Sequence, residues 1–286
     1  MFASLPNGPQ SHPPYRITAE PAGRRRANSL FTVVRGSWLR ALPRTPARAS
    51  AADRTAPWQD APMSNHLTWT GDVSPGDAPA TLELDTVTLT KVAVDEKMSN
   101  NAYVLTCRRT GEQLLVDAAA EPDVLLGLVD PRRLAAVVTT HQHWDHHRAL
   151  SAVVEASGAQ VLVGAPDADA VTEQTGVAVD RHLEHGDTVT FGEVTLEVVA
   201  VRGHTPGSVV LVLRDREVHL FTGDSLFPGG VGATFGDADA FQQLVSDVEE
   251  RIFGAFDDAV FHPGHGKGSR LSEERPSLPE WRARGW

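Results

Sequence analysis

Residues 140–147 read Thr-His-Gln-His-Trp-Asp-His-His and directly follow residues 135–139, a near-continuous apolar run. Such a run reads as a strand buried on both faces, and the loop at a strand's C-terminal end is where open sheets commonly place their sites. His141, His143, Asp145 and His146 put four potential ligands within six residues. Histidine makes up only 12 of the 286 residues, so chance does not explain the cluster. Imidazole nitrogen and carboxylate oxygen are the ligands zinc takes where cysteine is lacking. The single cysteine, Cys107, excludes both a thiolate cluster and a disulfide framework.

Three later loops share one form. Gly203-His204-Thr205-Pro206-Gly207 follows a strand ending at Val201, and Thr222-Gly223-Asp224-Ser225 follows one ending at Phe221. Pro263-Gly264-His265-Gly266 follows the apolar pair at 260–261. Each sets one metal-competent side chain beside glycine, which lets the backbone bend tightly and approach closely. Singly, each is an ordinary turn. In order, and all after strands, they form a set too large for one tetrahedral ion, which points to two.

The intervening pattern is strand-rich. Period-two alternation predicts a strand or two within 81–94, and short apolar runs read as strands over 102–107, 113–117, 160–163, 188–191, 194–201, 208–213 and 217–221, with a hairpin around Thr110-Gly111. Helices are expected from Glu121-Pro122, over 148–156 up to Gly158, and from Phe241 through Leu244, Val245, Val248 and Ile252 to Gly254. Helices interrupting strands at intervals imply an α/β (α+β) architecture, with sheets covered by helices.

At this point the four loops resemble the metallo-β-lactamase (MBL) fold metallo-hydrolase superfamily, most of all its glyoxalase II-like branch without the glutathione-binding helical domain. The resemblance covers roughly residues 85–270. It implies a four-layer αββα sandwich with the site at one edge between the sheets. It further implies that His141, His143 and His204 hold a first metal, that Asp145, His146 and His265 hold a second, and that Asp224 bridges them. Asp117 matches an acidic position common in the family and is expected to orient a ligand histidine.

Chemistry supports the same expectation. Two divalent ions about 3.5–4 Å apart can share a hydroxide, lower its pKa and polarise a carbonyl or phosphoryl oxygen. Asp145 is the expected catalytic residue, aiming that hydroxide through a hydrogen bond. The expectation is a dinuclear hydrolase of a small ester, thioester, lactone or phosphoester, with zinc ahead of iron or manganese. Two alternatives stand beside it: a mononuclear iron persulfide dioxygenase using His141, His204 and Asp224, and a non-catalytic metal-binding protein. Cysteine-containing and all-histidine β-lactamases are disfavoured, because Asp224 stands at the position that differs. Residues after His265 are too few for a glutathione-binding helical domain, so a glutathione thioester is disfavoured as well.

Charge divides the chain. Residues 1–62 hold nine arginines against three acids, a net +6, whereas the rest carries 17 basic and 34 acidic side chains, a net −17. The head has no periodicity and is expected as a disordered basic extension. Readings of it as a targeting segment, a partner arm or sequence upstream of a start at Met63 compete with that one. A linker at 63–80, an MBL-fold domain over 81–270 and a tail at 271–286 complete the layout. The total of −11 opposes broad nucleic-acid binding. A mean hydropathy of −0.22 and no apolar run near ~20 residues oppose a membrane span. The expected partner is a small-molecule substrate, with no nucleic acid and no membrane, in a reducing, cytoplasmic compartment. Of the other histidines, His147, His182, His185, His219 and His262 are expected as local hydrogen-bonders, with His262 nearest to a supporting role. Asn100-Asn101 and residues 227–232 are read either as lining a cleft or as plain turns.

Overall fold

The computed structural model describes Trp69 and residues 71–285, so the readings of 1–62 lie outside the described residues. Residues 71–79 carry neither helix nor strand. Strands β1 (Ala80–Glu83), β2 (Val87–Val94), β3 (Asn100–Cys107) and β4 (Gln113–Val116) form an antiparallel meander. The sheet then turns parallel through β5 (Leu134–Thr139), β6 (Gln160–Gly164) and β7 (Arg181–Leu183). Parallel strands need long crossovers, and here these carry α1 (Pro122–Leu128), α2 (Leu150–Ser157) and α3 (Ala168–Thr175).

The second sheet contains β8 (Thr188–Phe191), β9 (Val194–Ala200), β10 (Val209–Arg214) and β11 (Val218–Gly223) in antiparallel order. A small hairpin, β12 (Leu226–Phe227) and β13 (Gly230–Val231), leads into α4 (Ala238–Val248), capped by the Asp237 side chain on Ala240 N. A π-turn over Glu249–Phe253 continues α4. The chain then adds β14 (Val260–Pro263) parallel to β11, and β15 (Ser269–Arg270) antiparallel to β14.

Strand pleating creates the layers. In β10, Val209, Leu211 and Leu213 face inward between the sheets, while Val210 and Val212 face the opposite way. Tyr103, Leu105 and Cys107 of β3 meet them from the first sheet, and Ala102 and Val104 point outward beneath α1 and α2. One apolar core therefore lies between the sheets. A second lies under α1–α3 and a third under α4, which is the four-layer αββα order. The apolar stripe of α4 (Phe241, Leu244, Val245 and Val248) closes the third core.

The tail segment follows β15 directly. It forms α5 (Leu271–Glu274) and α6 (Leu278–Arg284), and buries Leu271 and Trp281 in the core under α4. Pro276 and Pro279 read as breakers in sequence, yet both fall in first helical turns, where a missing N–H costs nothing. Helix α3 was also unexpected: only Ala168 and Val171 of its eight residues are buried, too few for a visible stripe.

Topology decides what meets at the edge. Parallel neighbours β4 and β5 end side by side, delivering Asp117 next to Thr140 and His141. Parallel neighbours β11 and β14 do the same for Asp224 and His265.

Candidate metal centre

All seven ligand candidates converge. The potential ligand atoms of His141, His143 and His204 lie within 4.8 Å of one another, as do those of Asp145, His146 and His265, and those of His141, His146 and Asp224. His141 Nε2 lies 3.1 Å from His143 Nδ1 and 3.3 Å from His204 Nε2. An edge of about 3.3 Å is what a tetrahedral ion with bonds of about 2.0–2.1 Å spans. Asp224 stands between the two groups: Oδ2 is 3.7 Å from His204 Nε2 and 3.4 Å from His265 Nε2, and Oδ1 is 3.4 Å from His146 Nε2. His146 Nε2 and Asp224 Oδ1 are buried with no hydrogen-bond partner. Buried polar atoms are rarely left unpaired, and a cation between them satisfies both.

The other ring nitrogens fix the tautomers. His146 Nδ1 donates to Asp117 Oδ2 at 2.9 Å, His204 Nδ1 to the Ala233 carbonyl at 2.7 Å, and His265 Nδ1 to the Met98 carbonyl at 2.8 Å. Carboxylates and carbonyls only accept, so in each ring Nε2 is left to turn a lone pair into the site. The Thr140 hydroxyl donates to Asp117 Oδ2 at 2.8 Å and accepts from His141 Nδ1 at 3.1 Å. One buried carboxylate thus orients two rings, directly and through a hydroxyl.

Charge divides the centre into unlike halves. Burial, together with neighbouring imidazoles, holds His141 well below its ordinary value and brings His143 down to about 4. Burial likewise lowers His204. These three are neutral donors. On the other side burial opposes protonation, yet the Asp224 and Asp117 carboxylates raise His146 well above its ordinary value. Asp145 and Asp224 similarly overcome burial and raise His265 to about 9. Burial pushes Asp145 and Asp224 upward, but the facing imidazoles, joined at Asp145 by the Asn100 amide, hold both below the usual carboxylate range. The second half is acidic and suits a cation in place of its protons.

Close packing makes two glycines obligatory. A Cβ on Gly264 would lie 2.2 Å from Asp224 Oδ1 and 2.6 Å from His146 Cε1. One on Gly232 would lie 1.8 Å from the Asp224 carbonyl oxygen.

Sequence reasoning missed Asp167, in the single helical turn between β6 and α3 and fully buried. Its carboxylate accepts from Gln142 N, Thr205 Oγ1 and Gly207 N at 2.9, 2.6 and 2.7 Å, tying the first histidine loop to the His204 loop. Nothing around Asp167 in sequence marks that role. Asn100, left open in sequence, donates from Nδ2 to Asp145 Oδ2 at 2.9 Å. Asn101 Nδ2 donates to the Pro263 and Gly266 carbonyls, both at 2.8 Å, and buried Lys91 also reaches the Gly266 carbonyl. These contacts clamp the His265 turn. His262 stacks on His219 between the sheets and hydrogen-bonds it at 3.0 Å rather than supporting a ligand. Residues 227–233 line a cleft with Arg284.

The family profile described as the metallo-beta-lactamase superfamily matches residues 96–265. Persulfide dioxygenase ETHE1, mitochondrial, from Homo sapiens is 33% identical over 62% of this chain and 69% of its own length. A hydroxyacylglutathione hydrolase from Polaromonas sp. (strain JS666) is 30% identical over 58% of this chain and 62% of its own. The crystal structure of TTHA1623 in a di-iron-bound form superposes with a TM-score of 0.52 and 28% identity, covering 66% of this chain and 98% of that one.

Proposed function

The chain belongs to the metallo-beta-lactamase superfamily, and we propose that it is a dinuclear metal-dependent hydrolase acting on a small ester, thioester, lactone or phosphoester. The observation that carries this reading is the second half-site, where Asp145, His146 and His265 stand complete and share Asp224 with the first. His141, His143 and His204 would hold one ion, Asp145, His146 and His265 the other, and Asp224 would bridge them. Metal bound there would supply an activated water as nucleophile and a Lewis acid for the scissile carbonyl or phosphoryl oxygen. We favour zinc, which takes imidazole and carboxylate ligands where cysteine is lacking, with iron or manganese as the other ions that such donors suit.

The protein's own groups supply the rest. Asp145 is ionised and anchored by Asn100, so it can accept a hydrogen bond from the attacking water and aim its lone pair. Asp117 keeps His146 Nε2 aimed at the site. Single, buried Cys107 packs in the inter-sheet core and needs no catalytic role, and we place the enzyme in a reducing compartment such as the cytoplasm. Among the described residues no helix is long and apolar enough to cross a membrane.

A second reading has a specific observation behind it, the similarity to human ETHE1. In that reading one iron sits on His141, His204 and Asp224, and the reaction is persulfide oxidation. Elemental mass spectrometry of protein purified without chelators separates the two. Two ions per chain together with thioester or ester hydrolysis uphold the hydrolase. One iron per chain with persulfide-dependent oxygen uptake replaces it. Asp224→Ala is expected to lower metal content and turnover together, and normal turnover with full metal content would remove Asp224 from the assignment.

A further inference from the structure

Phe235 stands apart from every packing requirement of the fold. It is 78% exposed, the most exposed of the large apolar side chains among the described residues. Its backbone is left-handed, with φ of 55°, a conformation that bulky side chains rarely adopt. The turn that holds it there is pinned on both flanks. Thr234 and Asp237 exchange hydrogen bonds, from Asp237 N to the Thr234 carbonyl and from Thr234 Oγ1 to the Asp237 carbonyl. Ala233, just before it, accepts from His204 Nδ1.

This rigid turn carries the phenyl ring over the metal centre. Its centroid lies 5.6 Å from the His143 ring, nearly perpendicular, and 6.1 Å from the His204 ring. On the same loop, residues 227–233 line a cleft together with Arg284, and the Phe227 ring lies 6.4 Å from that of His265. Apolar rings therefore flank both halves of the centre. Strain held by a fixed surround, at an exposed ring beside reactive groups, marks a functional contact rather than a packing one.

We propose that Phe235 is a specificity-determining residue that takes an uncharged aliphatic or aromatic acyl group against its ring, so that the substrate is a thioester or ester of an apolar acid. The proposal rests on the hydrolase reading. It extends that reading from bond type to the chemistry of the acyl side.

Hydroxamates of increasing chain length test it without requiring turnover. Binding of acetohydroxamate and octanohydroxamate to the metal-loaded full chain is measured by calorimetry. Wild type is expected to bind the octanoyl compound at least about tenfold more tightly, since each well-buried methylene adds about 0.8 kcal/mol and only part of the chain meets the ring. Phe235→Gly is expected to shrink that ratio to about twofold with acetohydroxamate affinity unchanged, and Phe235→Leu to restore most of it. A melting temperature of Phe235→Gly at or above wild type shows that relaxing the left-handed turn has not cost the fold. An unchanged ratio in Phe235→Gly overturns the proposal. Acetyl and octanoyl thioesters are assayed in parallel. No hydrolysis of either, with the hydroxamate ratio intact, defeats the hydrolase reading and leaves the apolar contact standing. Equal kcat/KM for both, unaltered by Phe235→Gly, defeats the contact and leaves the hydrolase standing.

Discussion

Asp117 accepts a hydrogen bond from His146 Nδ1 at 2.9 Å, with both side chains buried where β4 ends beside β5. The same oxygen takes the Thr140 hydroxyl, and the other oxygen takes Thr140 N at 2.7 Å. All the donors that Asp117 serves need an acceptor. Asp117→Asn puts an amide N–H where one of them points, disturbing the His146 tautomer. Metal affinity is expected to fall about 10–100-fold, as measured by competition with a chromophoric chelator. Unchanged affinity would show that His146 needs no such partner.

Asp167 joins two ligand loops through three hydrogen bonds. In Asp167→Ala, Gln142 N and Gly207 N lose their acceptor. Leaving buried donors unmet costs about 1–3 kcal/mol each, so a total loss of about 2–6 kcal/mol is expected in urea unfolding. A loss below about 0.5 kcal/mol would mean that water replaces the carboxylate.

Gly264→Ala tests the close approach between β11 and β14. The added methyl would lie 2.2 Å from Asp224 Oδ1 and 2.6 Å from His146 Cε1, so those side chains must move. Circular dichroism is expected to show a folded chain with metal content clearly below wild type. Full metal content would show that the turn can shift without cost.

Chelation returns the second half-site to protons. Burial disfavours the charged ring, but Asp145 and Asp224 raise His265 to about 9. A raised imidazole stabilises the fold fully below its unfolded pKa of about 6.5, and this stabilisation disappears as pH climbs through the folded value. The urea midpoint of metal-free protein is therefore expected to drop between about pH 6.5 and 9. His265→Gln should flatten the drop, as should metal, which binds only the unprotonated ring. A flat profile in chelated wild type would contradict the pairing.

Much of the site is legible from residue order because metal ligation is local in chemistry. The grouping of His141, His143, Asp145 and His146, and the placing of His204, Asp224 and His265 beside glycines, can be read without coordinates. Most strands are legible for a related reason. The continuous apolar run of β10 reflects a pleat in which neighbouring residues face different cores, so both faces are apolar. Elements that bury little, such as α3 and β7, carry no such signal. Helices α5 and α6 are hidden by prolines whose first-turn placement is invisible in a linear reading.

Residue order therefore set the candidate ligand types, the strand-then-loop pattern that presents them and the two-faced sheets behind them. It did not set who supports the ligands. Asp167 reaches the His204 loop across 38 positions and Asn100 reaches Asp145 across 45, distances at which local propensity carries no information. Those partners were chosen when parallel pairing brought strand ends together and two sheets closed on a common core. Phe235 belongs with them: its exposure and left-handed backbone exist only once a turn is pinned on one side to a ligand histidine and on the other to α4.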